Sequence, residues 1–165
     1  MAKGCGSCRL CCSVMGVDMS PHPEPFKPVY TPCRHECKKG CGIYEIRPEA
    51  CKVFECLWLV TQDWPGKPMR KELRPDRTGV VMEVNTHSAI IAHCRTGNEW
   101  QKEPIFSILI NYVSQGLKVL VGHHESYALL NLDGTTEQLR RIGVAQNGEV
   151  MYVLDRELKA AEAAK

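Results

Sequence analysis

The sequence has almost no net charge: 21 Lys and Arg against 19 Asp and Glu leave +2 over 165 residues. That balance excludes the strong electrostatic attraction on which general nucleic-acid or acidic-membrane binding depends. No apolar run reaches the roughly 18 residues of a membrane-crossing helix, so no membrane partner is expected. Met1-Ala-Lys-Gly-Cys5 leads into no apolar stretch of signal-peptide kind, and the expected location is the cytoplasm. Aromatic residues make up 7% of the chain. Trp58, Trp64 and Trp100 are scattered, which suits core packing better than a base-stacking face. A Gly-rich phosphate loop, an HExxH motif and a Ser/His/Asp signature are all missing. No catalytic residue is therefore assigned, and the balance leans against an enzyme.

Cysteine, by contrast, is abundant. Nine of the ten cysteines fall within the first 56 positions, beginning with Cys5-Gly-Ser-Cys8-Arg-Leu-Cys11-Cys12 and continuing with Cys33, Cys37, Cys41, Cys51 and Cys56. Disulfides do not persist in a reducing compartment. The neighbours Cys11 and Cys12 are also poorly spaced for a mutual disulfide, whose Cα atoms stand roughly 4.4–6.8 Å apart against roughly 3.8 Å for consecutive residues. Soft thiolates in such density select zinc, iron–sulfur clusters or Cu(I). Cys5-Gly-Ser-Cys8 has the form of a zinc knuckle, with Gly4 and Gly6 freeing the backbone. The repeat Cys5-x2-Cys8-x2-Cys11 with a remote fourth cysteine equally matches a [4Fe–4S] site. His35 lies among the cysteines but is not needed as a ligand. The pair His123-His124 points to opposite sides if it lies in a strand, and His22, His87 and His93 have no evident partner.

The pattern of the chain predicts an α+β fold in two parts: a cysteine-cluster module over residues 1–77 and an α+β part over 78–165, packed as one unit. The first is irregular and metal-stapled, leaning on a small mixed or antiparallel sheet with one main helix. Five prolines make 13–32 a loop. Pro32, capped by Thr31, is expected to open a short helix carrying Cys33 and Cys37 and stopping at Gly40. A second helix is expected over 49–60, a turn at 64–68, and a solvated charged segment over 69–76. Strands are read at 80–84 and 88–93, joined by Asn85-Thr86-His87, then a helix over 104–115 and strands at 118–121 and 127–132. Thr135-Thr136-Glu137-Gln138 resembles a capping box ahead of a helix ending at Gly143. Asn147-Gly148 signals a hairpin between 144–146 and 149–154, and Asp155 caps a final helix.

A longer signature joins these cysteines: Cys5-x2-Cys8-x2-Cys11-Cys12, then Pro32-Cys33, then Cys41-Gly42-Ile43-Tyr44-x2-Arg47-Pro48-x2-Cys51-x2-Phe54-x-Cys56, Trp58 and Leu73-Arg74-Pro75-Asp76. Over roughly residues 5–80 it resembles the CxxCxxCC family of zinc- or iron-chelating domains, the YkgJ-like cysteine-cluster proteins. The resemblance implies that Cys5, Cys8, Cys11, Cys12, Cys33, Cys41, Cys51 and Cys56 are the metal-binding positions, and that Cys37 and Cys94 lie outside the pattern. A related domain occurs in flagellin lysine methylases, but nothing else here argues for a methylase. Arg47, in the Arg-Pro element, is the basic residue expected to act on the sulfurs; Lys3, Arg9, Arg34, Lys38, Lys39 and Lys52 surround them.

Eight thiolates can close two four-cysteine zinc sites, hold one [4Fe–4S] cluster with four thiols to spare, or hold one ion with a reserve. Metal binding, with zinc as one or two ions or with iron, is the first expectation. An iron–sulfur protein in redox sensing or electron transfer comes second, and a zinc-ribbon-like nucleic-acid binder third, for want of a basic face. A thioredoxin-like enzyme using Cys5 and Cys8 is the weakest idea, because its CxxC would follow a strand.

Overall fold

The computed structural model describes residues 5–19, 26–38, 40–85, 87–144 and 150–163. Both helices and sheets are present, so the fold is α+β. The N-terminal third holds α1 (Leu10–Val14), the pair β1 (Val17–Asp18) and β2 (Phe26–Lys27), and the pair β3 (Glu36–Cys37) and β4 (Gly40–Cys41). Three short helices follow, α2 (Glu49–Val53), α3 (Leu57–Thr61) and α4 (Pro75–Thr78). The rest comprises β5 (Val80–Val84), β6 (Ile90–Cys94), α5 (Ile105–Ser114), β7 (Val119–His123), β8 (Ser126–Leu130), β9 (Thr136–Val144), β10 (Val150–Leu154) and α6 (Asp155–Ala163).

The six longer strands form one mixed sheet in the order β10-β9-β8-β7-β6-β5. Neighbours are antiparallel except β6 and β7, and the connection between those two contains α5, as a parallel pair requires a crossover. Alternation decides what each face meets. On one face Val80, Met82, Ile90, Ala92, Cys94, Val119 and Val121 gather against Ile105 and Leu109 of α5, with Leu57, Leu73 and Trp100 closing the edges. On the other face Val81, fully buried, packs with Leu10, Val14, Cys56 and Leu59. The N-terminal third is thus seated on the β5 end of the sheet.

Three expected helices are corrected. None forms after Pro32. Instead Glu36 pairs with Cys41 across β3 and β4, and the Gly42 amide donates to the His35 carbonyl at 2.7 Å. Gly40, at φ 126, stands at the start of β4 in a conformation that suits glycine. The stretch 49–60 is two helices, α2 and α3, with extended backbone at Phe54 and Cys56 between them. The expected helix ahead of Gly143 is instead the strand β9, Thr136–Val144. The Asp133 carboxylate accepts the Thr135 amide at 2.9 Å and its hydroxyl at 2.6 Å, which makes the would-be cap part of a turn. Strand β9 then gains partners on both edges, β8 and β10, and tertiary pairing outweighs local propensity. The charged segment 69–76 is also less solvated than expected, since Leu73 and Pro75 are buried. Strands 80–84 and 88–93 and the helix over 104–115 do form, shifted by a residue or two at their ends. The Asn147-Gly148 turn, Thr86 and His22 lie outside the described residues.

Buried polar groups in this frame are closely tied. Thr61 receives the Met69 amide at 3.1 Å and donates to the Trp58 carbonyl at 2.8 Å, clipping the 62–69 loop onto α3. Glu99, buried beside the αL turn at Gly79, accepts from the Thr96 amide at 2.9 Å, the Thr96 hydroxyl at 2.7 Å and the Gly97 amide at 3.0 Å. Burial by itself raises the Glu99 pKa, but these bonds, the Thr96 hydroxyl first, outweigh it and hold the carboxyl below its ordinary value. A folded pKa below the unfolded one gives stability above the unfolded pKa, about 4.3, which is lost as pH falls through the folded value. Stability measured by urea unfolding is therefore expected to drop as pH goes from about 5 to about 3. Glu99→Gln is expected to be less stable at pH 7 and to show a shallower acid slope. An unchanged slope would mean that Glu99 does not set it.

Candidate metal centre

The knuckle is built by the backbone. The Cys8 amide donates to the Cys5 carbonyl at 3.1 Å, and Gly6 takes φ 57 within the turn. Arg74 holds the turn from below: its Nη2 donates to Ser7 Oγ at 3.1 Å while the same guanidinium grips Asp76 at 2.7 and 2.8 Å. This gives the Leu-Arg-Pro-Asp element of the signature a physical task. Helix α1 then carries Cys11 and Cys12. Its polar side meets the β3–β4 hairpin, because Arg9 donates to the Cys37 carbonyl at 2.7 Å and Ser13 to Glu36 at 3.3 Å. The Cys33 amide donates to the Cys12 carbonyl at 3.0 Å. Cys51 lies on α2 and Cys56 just ahead of α3.

Together the elements enclose a cavity of about 620 Å³ lined by Cys5, Cys8, Cys11, Cys12, Cys33, Cys41, Cys51 and Cys56. These are the eight positions of the signature. Cys37 and Cys94 do not line it: Cys37 is exposed, and Cys94 is buried in the main core. None of the ten cysteines is in a disulfide.

Burial keeps most of these thiols neutral. It raises Cys5, Cys8 and Cys51, and pushes Cys56 to about 11. Cys11 and Cys12 split: a hydrogen bond from the Cys11 thiol holds Cys12 below its ordinary value and drives Cys11 up. Lys27 is one of the cations that line the cavity, with Arg9, Arg47 and Lys52. It is buried, with Nζ donating to the Thr31 carbonyl at 2.7 Å and the Pro28 carbonyl at 3.2 Å. Burial lowers its pKa, while Cys33, Cys12, Cys11 and Cys51 pull it back up. Arg47 lines the cavity and lies over the Tyr44 ring, 4.0 Å from its centroid. His35 lines the cavity as well.

Sequence reading missed Lys27, a lone lysine in a proline-rich loop that carries no pattern. It also gave His93 no partner. His93 Nε2 lies 2.8 Å from Glu83 Oε1, and Nδ1 lies 2.6 Å from the Tyr127 hydroxyl, making a chain across three strands whose Glu83 end reaches the cavity. The period-2 pattern that puts Glu83 and His93 on one face was the available signal. His123 and His124 do share a partner, since the Tyr30 ring lies 4.5 Å and 5.4 Å from their rings.

The donors fit a thiophilic metal in kind, being soft sulfurs facing one cavity with cations beside them. Among the described residues, however, no three His, Cys, Asp or Glu side chains are grouped as a metal site requires. Compared with family models, curated proteins and solved structures, the chain matches none. Among the described residues no helix is long and apolar enough to cross a membrane.

Proposed function

We propose that this protein binds zinc or iron through cysteine thiolates in a stapled N-terminal module of the CxxCxxCC kind, acting in a reducing compartment such as the cytoplasm. The observation that carries the reading is selective: the eight signature cysteines line one cavity and the two outside the signature do not. Metal bound there joins segments that have little apolar core of their own, since α1, β1–β4 and α2 contribute few buried side chains. Lys27 and Arg47 offset thiolate charge, and the backbone turns at Cys5–Cys8 and Cys33–Glu36 hold their sulfurs in place.

The test is metal content per chain across ten single Cys→Ser variants purified without air or chelator. Each of the eight is expected to lose metal, because a hard hydroxyl replaces a soft thiolate. Cys37→Ser and Cys94→Ser are expected to keep it. Loss from Cys37→Ser with Cys12→Ser unaffected would refute the assignment. A [4Fe–4S] cluster is the second reading, favoured by the packing of Cys56 with Cys5, Cys8 and Cys11. Brown protein with iron and acid-labile sulfide would establish it, and colourless protein carrying zinc would exclude it.

A further inference from the structure

Lys27 is buried where lysines seldom are. An ammonium gives up its water at a high cost, so a lysine is almost never fully buried unless it is paired, yet Lys27 is only 7% exposed. It lies in β2, in register with Val17 of β1, and it lines the cysteine cavity. The acceptors of its Nζ, the Thr31 carbonyl at 2.7 Å and the Pro28 carbonyl at 3.2 Å, are both neutral. An ammonium has three N–H donors; these bonds account for two, and neither brings an opposite charge. The four groups that most counter the effect of burial on this amine are the thiols Cys33, Cys12, Cys11 and Cys51, not carboxylates. The other cations of the lining are engaged elsewhere. Arg9 donates to the Cys37 carbonyl and lies 3.5 Å from Glu36, Lys52 lies 3.4 Å from Glu49, and Arg47 lies over the Tyr44 ring. Glu83, a carboxylate of the lining, is held by His93 at 2.8 Å. Much of the remaining wall is apolar, with Met15, Val17, Met19 and Phe54 facing the same space. A volume of about 620 Å³ is that of a small-molecule pocket.

We propose that this cavity binds a medium-chain organic carboxylate, whose head group accepts the third N–H of Lys27 and whose apolar tail lies along the Met15, Val17 and Met19 wall. The carboxylate supplies the acceptor and the opposite charge that the two carbonyls do not, in a charge-assisted bond stronger than a neutral one. The tail removes apolar wall from water, a gain that grows with every methylene buried. A bare phosphate or sulfate meets the ammonium but leaves that wall wet. The site goes beyond the metal-binding reading and does not rest on it, because Lys27 and the apolar wall recognise the ligand and no thiol has to lose a proton.

The experiment is calorimetric titration of the full-length chain, purified reduced and without air or chelator, with octanoate, acetate and octanol, and with metal content measured on the same sample. Octanoate is expected to bind, and acetate, which lacks the tail, and octanol, which lacks the charge, to bind at least about tenfold more weakly. Lys27→Met keeps an unbranched side chain without the ammonium and is expected to weaken octanoate at least about tenfold. Lys102→Met, at an exposed position outside the cavity, is expected to leave it unchanged. A readout free of substitutions guards against a misfolded variant: in isotope-labelled wild type, nuclear Overhauser contacts from the octanoate methylenes are expected at Lys27 and Met19. A wild type that takes no octanoate overturns the site. So does octanol or acetate binding as tightly as octanoate, Lys27→Met with wild-type affinity, or contacts at other residues only. Protein that carries metal but takes no octanoate rejects the carboxylate site alone, whereas protein without metal that takes octanoate at Lys27 rejects the metal-binding reading alone.

Discussion

Chelation is expected to open the N-terminal third to protease while the sheet stays closed. Loaded protein should resist trypsin at Arg34, Lys38 and Lys52, and a strong chelator or acid should expose these sites at least about tenfold faster, the factor that corresponds to about 1.4 kcal/mol of local stability. The argument rests on what lies buried where. The described residues between 5 and 56 contribute only Leu10, Val14, Met19, Lys27, Pro48 and Cys56 to the buried set, whereas β5–β8 and α5 form a continuous core with several side chains at or below 2% exposure. Hydrophobic burial alone therefore holds the second part, whereas under the proposed function metal binding is what would supply folding free energy to the first. Acid acts in the same direction, because ligand thiols must lose their protons to bind, and burial raises the pKa of Cys5, Cys8 and Cys51. Limited proteolysis followed by mass mapping reads the result directly. Fragments that begin near residue 78 and persist are expected. Equal cleavage rates with and without chelator would mean that the cysteines do not staple this segment.

How much of this was legible depended on whether the signal was local. That the eight cysteines would gather was readable because their spacing within turns is short-range, and all eight line one cavity. Strands 80–84 and 88–93 were readable because a buried face imposes period 2, and the helix over 104–115 because Ile105, Leu109 and Val113 repeat every four residues. What failed depended on distant partners. Cys33, Cys37 and Cys41 have helical spacing, yet they lie in a turn and hairpin held against α1 by Arg9 and Ser13, contacts some 23 to 28 residues away in sequence. Thr135-Thr136-Glu137-Gln138 reads as a helix start until Asp133 captures Thr135 and β8 and β10 claim the backbone on both edges. The contact of α1 with the sheet was out of reach for the same reason. It depends on which side of a five-residue helix meets Val81.

Gly122→Ala is expected to cost about 3 kcal/mol, at the upper end of overpacking penalties, and to disturb a network about which the glycine itself gives no hint. Gly122 lies in β7 opposite Tyr127 of β8, and a Cβ there would overlap the Ser126 carbonyl oxygen and stand 2.6 Å from Tyr127 Cδ1. The first of these is backbone, so rotating a side chain cannot relieve it. The Tyr127 ring lies over the space that the absent Cβ leaves, with its hydroxyl 2.6 Å from His93 Nδ1, and His93 is in turn held by Glu83. Gly143 is the control. It is also in a strand of the same sheet, but the nearest atom to its added Cβ is Met151 Cε at 3.3 Å, the mobile end of a flexible chain. Gly143→Ala is therefore expected to change stability by less than about 1 kcal/mol. Urea unfolding of the two variants beside the wild type gives the comparison, and the histidine resonance of His93 reports whether its two hydrogen bonds survive. Equal stabilities for the two variants would show that β7 and β8 can part at this point without cost. A His93 resonance unmoved by Gly122→Ala would show that the tyrosine does not depend on the glycine for its place.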